Sequence, residues 1–416
     1  MPALEHTDSW FHDVMHPFEG LDRDQKAAFL ACFLGWALDA FDFFILVMVL
    51  KQIAVSFNVS EKAVMWAITW TLAMRPVGAL LFGTIADRFG RRPALVGSVL
   101  FYSVMEFASG FAPNLAVLIF LRAMYGIGMG GEWGVGASLA MEKVPVHKRG
   151  ILSGWLQEGY AVGYMMAALV NYLLASAGLG WRWMFFIGIL PVPVVLWIRA
   201  HVKESEAWEY NRRAESRLGQ VLAENWKAFL YLVLLMTAFN FMSHGSQDTY
   251  PLFLESQLRF SRQTTSTVTM IFMFGALLGG MVFGAISERI GRRKAIVLAS
   301  LLALPIVPLW VFAPSLPLLT LGAFLMQFLV QGAWGVIPAH LNELSPPSVR
   351  GTFPGFTYQL GNLLASLNSP IQGGLARRFG HNYGLAQATV MVPVLLLVAL
   401  VTWWGPEARG TPFQQP

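Results

Sequence analysis

Charge is scarce in this chain. Of its 416 residues only 13% are Asp, Glu, Lys or Arg and 56% are hydrophobic, against roughly 25% charged in a soluble protein. With half the usual charge, a soluble domain of this length could not cover its surface. This excludes an ordinary cytosolic enzyme, a disordered chain and a nucleic-acid-binding domain. Cysteine is scarcer still. Cys32 stands alone, which excludes a disulfide framework and a Cys-based zinc or iron–sulfur site. There is no Gly-x-x-x-x-Gly-Lys-Ser/Thr loop and no His-Glu-x-x-His pair, so no ATPase in cis, no cofactor and no metal are expected. Gly126-Ile-Gly128-Met-Gly130-Gly131 fits a dinucleotide fingerprint but follows no strand and lies within an apolar run. Gly126/Gly130 and Gly275/Gly279 read instead as small-xxx-small helix contacts.

What the chain has is long apolar runs. They fall near 27–50, 63–86, 93–111, 115–140, 152–176, 183–199, 228–254, 264–287, 295–313, 317–340, 352–376 and 385–404. A spanning helix needs about 20 apolar residues, and these runs are too long and uniform for membrane strands. The expectation is an all-α membrane protein with 12 transmembrane helices, its many Trp and Phe side chains mostly facing lipid or the interface. Residues 1–26 are acid-rich (Glu5, Asp8, Asp13, Glu19, Asp22, Asp24) and lack the basic start of a cleavable signal peptide. The first run therefore reads as a retained signal-anchor.

Lys and Arg set the orientation. With both termini cytoplasmic, twenty of the 29 fall in inside segments, among them Arg88, Arg91, Arg92, Lys143, Lys148, Arg149, Arg212, Arg213, Arg217, Arg289, Arg292, Arg293, Arg350 and Arg409, and seven fall outside. The net charge of +5 is thus assigned to cytoplasmic loops rather than to an acidic partner. Arg75 and Arg122 remain, both inside spans. The expected organisation is a cytoplasmic segment 1–26, a six-helix bundle 27–199, a cytoplasmic linker 200–227, a second six-helix bundle 228–404 and a cytoplasmic tail 405–416. The setting is the cell (inner or plasma) membrane, with the chain acting as a monomer.

The halves repeat at an offset of 201. Gly83-Thr-Ile-Ala-Asp87-Arg88-Phe-Gly90-Arg91-Arg92 matches Gly284-Ala-Ile-Ser-Glu288-Arg289-Ile-Gly291-Arg292-Arg293, and Gly131–Gly150 matches Gly332–Gly351 with eight identities in twenty. A parallel duplication of this kind places a substrate site near the bilayer midplane between the halves. In the motif itself the glycines allow a tight turn. The acid and arginines can pair with each other and with helix-terminal carbonyls, latching one face shut.

Polar side chains inside spans are functional candidates by default. Span 1 carries Asp39 and Asp42, span 2 Arg75, span 3 Glu106, span 4 Arg122 and Glu132, and span 5 Gln157 and Glu158. Buried ion pairs that fix packing are the plain alternative. A guanidinium near the midplane also suits an anionic substrate, because it grips a carboxylate at two points. In span 7, Asn240, His244 and Asp248 lie at i, i+4 and i+8 along one stripe, flanked by Ser243 and Gln247. A histidine beside a carboxylate suits a proton pathway.

Over essentially its whole length the sequence resembles the major facilitator superfamily, through the loop motif in both halves and the Glu142…Pro145…Arg149-Gly150 pattern after span 4. The resemblance implies two six-helix bundles and alternating access. Asn240-x-x-Ser243-His244-x-Ser246-Gln247-Asp248, with Asp39-Ala-Phe-Asp42-Phe-Phe and Tyr358-Gln359-Leu-Gly361-Asn362, is similar to the sialate:proton symporter family, in particular its lactate/pyruvate permease branch. Pro251-Leu252 follow Thr249 and Tyr250 where the fungal permeases usually close the motif with Thr. The resemblance implies symport of a proton with a small organic anion, a monocarboxylate such as lactate or pyruvate. Sialic acid or an aromatic acid is the alternative, and a non-transporting sensor with the same fold is a further one. Arg75 or Arg122 would neutralise the carboxylate. Asn240, Ser243, Gln247, Gln359 and Asn362 would bind the rest of the substrate, and Asp39, Asp42, His244 or Asp248 would carry the proton.

Overall fold

In the computed structural model the described residues are 10–59, 61–211 and 218–413. Glu5, Asp8, Arg212, Arg213 and Arg217, together with the outermost ends of the expected terminal segments, lie outside them. Within them the chain is helical. Spans 1 to 4 are single helices, Arg23–Phe57, Glu61–Phe89, Arg91–Ser109 and Leu115–Lys143. Span 5 is broken into Arg149–Gln157 and Gly159–Ser176, and span 6 into Arg182–Ile187 and Pro191–His201. Two short helices, Glu206–Asn211 and Leu218–Glu224, occupy the linker. Span 7 is Trp226–Gln247, span 8 Arg262–Ile290 and span 9 begins as Arg292–Ala303 and ends as Val307–Phe312. Span 10 is Leu316–Gly335 plus Ile337–Leu344, span 11 Phe353–Ala365 plus Asn368–Arg378, and span 12 Tyr383–Trp404. Eight of these stretches are long and apolar enough to cross a membrane on their own.

Two boundaries differ from expectation for local reasons. Span 1 starts four residues early because Asp22 and Gln25 form a reciprocal capping box, Asp22 accepting from the Gln25 N–H at 2.7 Å and Gln25 from the Asp22 N–H at 3.1 Å; such boxes satisfy two otherwise orphaned donors. Span 7 is expected to run unbroken to 254, but its helix ends at Gln247 and a π-turn follows at Phe253–Gln257. Pro251 has no N–H to continue the ladder.

The glycine pairs pack as expected. A Cβ added at Gly126 or Gly130 would run into the carbonyls of Thr71 and Arg75 on span 2, and one at Gly275 or Gly279 into those of Phe324 and Phe328 on span 10. Span 4 therefore lies against span 2 backbone to backbone at the level of Arg75. Gly130→Val is expected to destabilise the protein by about 1–3 kcal/mol, the usual cost of overpacking, read as a lower melting temperature in detergent.

The two copies of the basic motif lie at one face, which also carries both ends of the described chain and is called the basic face below. Gly90 and Gly291 turn at φ +112° and +97°, a region that side chains with a Cβ rarely adopt. Arg91 pairs with Asp87 at 2.7 Å and Glu142 at 2.9 Å; Arg292 pairs with Glu288 at 2.9 Å and Glu343 at 3.0 Å. Each motif acid then reaches across to the other half. Asp87 accepts from the backbone N–H groups of Gly351 (2.7 Å) and Thr352 (3.0 Å), at the start of span 11. Glu288 accepts from the N–H of Gly150, at the start of span 5. Both carboxylates sit at helix N-termini, where negative charge is favoured. Ser138 and Ser153 add bonds from the first half to the carbonyls of Arg350 (2.6 Å) and Gly335 (2.7 Å). These bonds draw the halves together and close the basic face. Arg88 and Arg289 lie exposed beside their motifs, Arg289 stacked over Trp10 at 4.7 Å.

Candidate functional site

Between the halves lies a small cavity walled by residues of both bundles. Span 2 contributes Arg75, span 5 Gln157 and Tyr160, span 7 Asn240, Ser243 and His244, span 10 Gln331 and Trp334, and span 11 Tyr358, with Trp36, Phe43 and Met129 completing the wall. The wall thus combines aromatic and apolar side chains with six convergent polar or charged ones, and such a combination of apolar lining and placed polar groups suits a small-molecule site.

Arg75 supplies a guanidinium to the wall. Its side chain is 4% exposed, its Nε and Nη2 have no hydrogen-bond partner, and its guanidinium lies 5.7 Å from the centre of the Tyr358 ring. Pro76 follows it inside the same helix. Asp39 and Glu132, carboxylates of spans 1 and 4, feel the charge of Arg75. Both are fully buried with no hydrogen bond to either oxygen, as is Asp42.

Arg122 is placed differently. It is absent from the cavity wall and makes a close ion pair with Glu106. Its guanidinium also lies 4.1 Å from the Tyr125 ring centre and 5.4 Å from that of Phe185. The pair ties spans 3 and 4 inside the first bundle. Removing one partner of a buried pair costs about 3–5 kcal/mol, whereas replacing both with apolar groups can be neutral. Glu106→Gln is therefore expected to lower the melting temperature sharply, and Glu106→Leu with Arg122→Leu to recover most of the loss.

The span 7 stripe forms a chain of polar contacts. His244 Nδ1 is 3.2 Å from both Asp248 oxygens, and Nε2 is 2.9 Å from Asn362 Oδ1. The Asn362 amide in turn donates to Gln359 Oε1 at 3.4 Å. A carboxylate only accepts, so Nδ1 carries hydrogen toward Asp248, while Nε2 faces the Asn362 side-chain amide. Asn240 lies on the wall and donates to the Met236 carbonyl at 2.7 Å. Ser243 accepts from Gln331 at 3.2 Å.

Other candidates stand away from the wall. Gln247 donates to Gln327 at 2.8 Å, and Gln327 to Ser246 at 3.0 Å, joining spans 7 and 10 in the interior of the second bundle. Gln359 is fully buried with its Nε2 unpartnered, and Asn362 reaches the site through His244.

Many aromatic side chains are exposed as expected, among them Trp66, Trp70, Trp183, Trp403 and Trp404, but those around the cavity are not. Rather than facing lipid, Trp36, Trp133 and Trp334 are buried. Trp36 stacks on Tyr160 at 5.8 Å, and Trp133 and Trp334 contact Tyr358 at 4.6 and 5.6 Å. The signal was present, since Trp133 and Trp334 coincide in the repeat. Gln157, a candidate from its place in span 5, lies on the wall, and Gln331 was missed. Gln157 accepts from the indole N–H groups of Trp36 (3.2 Å, through its carbonyl) and Trp133 (3.4 Å, through its side chain).

A family model described as Major Facilitator Superfamily matches residues 32–253 and 233–415. The chain belongs to that superfamily. It is a multi-pass membrane protein with the superfamily's two six-helix bundles, and not an enzyme. It is 30% identical over 408 residues to a probable 4-methylmuconolactone transporter of Cupriavidus pinatubonensis, covering 93% of this chain and 91% of that protein. It is 29% identical to the sialic acid transporter NanX of Escherichia coli, covering 97% of each. Among solved structures, the proton:xylose symporter XylE superposes with TM-score 0.76 at 18% identity, over 93% of this chain and 97% of that one. That likeness concerns the fold.

Proposed function

We propose that the chain is a secondary active transporter that carries a small organic acid, as its anion, together with a proton by alternating access, acting as a monomer in the cell membrane with its basic face to the cytoplasm. The observation that carries this reading is Arg75, a guanidinium on the wall of the inter-bundle cavity with two N–H directions unpartnered. A carboxylate fits such a fork at two points. The relatives named for 4-methylmuconolactone and sialic acid support an organic acid as cargo, and the twenty-to-seven distribution of basic residues supports the orientation.

Coupling follows from the neighbours of Arg75. Asp39 and Glu132 compete with an incoming anion for the same cation, and a proton on Asp39 frees Arg75 for substrate. The His244–Asp248 pair on the opposite wall is the second proton carrier. Asn240, Ser243 and Gln331 orient the polar groups of the substrate beyond its carboxylate.

The family resemblance favours lactate or pyruvate. The wall favours a flat, unsaturated ring acid, because Trp36, Tyr160, Trp334 and Tyr358 offer faces and edges on which a ring stacks and a three-carbon acid uses none of them. Uptake of labelled lactate, pyruvate, sialic acid and aromatic monocarboxylates into proteoliposomes, with and without an inward proton gradient, tests both. Saturable, gradient-driven uptake of an aromatic acid in preference to lactate is expected. Gradient-driven uptake of lactate alone would return the substrate to the three-carbon class, and failure of every acid would overturn the transport reading in favour of a sensor.

A further inference from the structure

Arg149 and Arg350 stand at repeat-related positions at the heads of spans 5 and 11, one on each half, at the closed basic face. Two cations brought together by closure repel each other unless something offsets the repulsion. The C-terminal segment does so. Phe413 is 4% exposed, with the Arg149 guanidinium 3.7 Å from its ring centre and that of Arg350 3.9 Å from it. One ring thus contacts a guanidinium from each half. Each face of an aromatic ring carries negative potential and attracts a cation.

The path of the segment explains how the ring arrives there. Glu407 accepts from the N–H of Arg293 at 3.1 Å, and Arg409 donates to the carbonyls of Glu288 and Arg289 at 2.9 Å each. These contacts pin residues 407–409 to the second half. The segment then crosses the seam, where Arg149 of the first half donates to the Thr411 carbonyl at 2.9 Å. The N-terminal segment crosses the same seam independently. Trp10 donates to the Ala285 carbonyl of span 8 at 3.1 Å, while Asp13 pairs with Lys148 of the first half at 2.9 Å.

We propose that Phe413 is a positioning residue of the transport cycle: in contact with both Arg149 and Arg350, it clamps the two halves at the basic face, and this face opens only when the ring withdraws. The clamp acts through the two arginines and touches neither substrate nor proton. Its consequence for transport rests on the alternating-access reading above, but its effect on the distance between the halves does not.

The test is a distance measurement by pulsed electron spin resonance on full-length protein in nanodiscs. Spin labels go on Phe89→Cys and Ile290→Cys, repeat-related exposed positions at the basic ends of spans 2 and 8, in a Cys32→Ala background. The parent should show one short distance. Phe413→Ala and deletion of residues 412–416 should each move the closed-to-open ratio by at least about tenfold toward longer distances, the lower end of the scale for two ring–cation contacts. Phe413→Trp should restore the parent distribution. Phe413→Leu, which keeps the apolar bulk without the ring, should behave like alanine. An unchanged distribution in both the alanine and deletion variants would overturn the clamp, as would leucine holding the closed state as well as tryptophan. Shifted distances alongside absent uptake of every acid would support the clamp and count against the transport reading alone.

Discussion

Arg75→Gln is expected to lower the kcat/KM of acid uptake by about 100-fold or more while the protein still folds and elutes as a single species. Truncating a charge-assisted contact in a desolvated site costs about 2–5 kcal/mol, and each 1.4 kcal/mol is about tenfold. Arg75 has Nε and Nη2 without a partner, so these two groups are free to take a substrate carboxylate and their loss should appear in binding. Arg75→Lys should rescue little, because an ammonium is a point charge and cannot match both carboxylate oxygens. Substitution of Arg122 should show the reverse pattern, with stability falling first, since it leaves Glu106 buried without its cation. Wild-type uptake by Arg75→Gln would remove Arg75 as the anion anchor.

The contrast between the two arginines marks the limit of what the sequence discloses. Both lie mid-span in apolar runs with acids nearby, and neither periodicity nor charge count separates them. What separates them is tertiary. Glu106 of span 3 folds back onto Arg122, while Gly130 lets span 4 lie flat on the Arg75 carbonyl and leaves the Arg75 side chain facing the cavity. The spans themselves were legible because about 20 consecutive apolar residues admit few other readings. The motif contacts were legible as far as Arg91 with Asp87 and Arg292 with Glu288, which are four residues apart on one turn. Their reach to Gly351 and Gly150 of the opposite half, 264 and 138 residues away, is set by how the halves dock. The span 7 ladder was legible because i, i+4, i+8 spacing alone brings His244 and Asp248 together. Its link to Asn362 belongs to the packing of span 7 on span 11. Phe413 carried no signal at all, being one aromatic residue in a short polar tail whose partners are gathered from both halves.

Asp248→Asn and His244→Ala are expected to uncouple transport from the proton while leaving substrate exchange intact. In the parent, one anion and one proton cross together, so the movement is electrically neutral and a one-unit pH gradient can drive about tenfold accumulation, the equivalent of 1.4 kcal/mol. An anion crossing alone works against an inside-negative potential worth about 2.3 kcal/mol per charge per 100 mV. Two signs should therefore change together in proteoliposomes. An inward proton gradient should accelerate uptake in the parent and leave the variants unmoved, and an imposed inside-negative potential should leave the parent unmoved and suppress uptake in the variants. Counterflow of labelled against unlabelled acid, which needs no net proton movement, should persist in both, because Arg75 and the aromatic wall are untouched. His244 bridges Asp248 and Asn362, so alanine there breaks the chain in the middle and should act as strongly as the loss of Asp248. Asp39→Asn measured alongside locates the coupling. Loss of gradient drive with Asp39→Asn, but with neither span 7 variant, would put the proton on span 1 beside Arg75 and reduce His244 and Asp248 to substrate orientation.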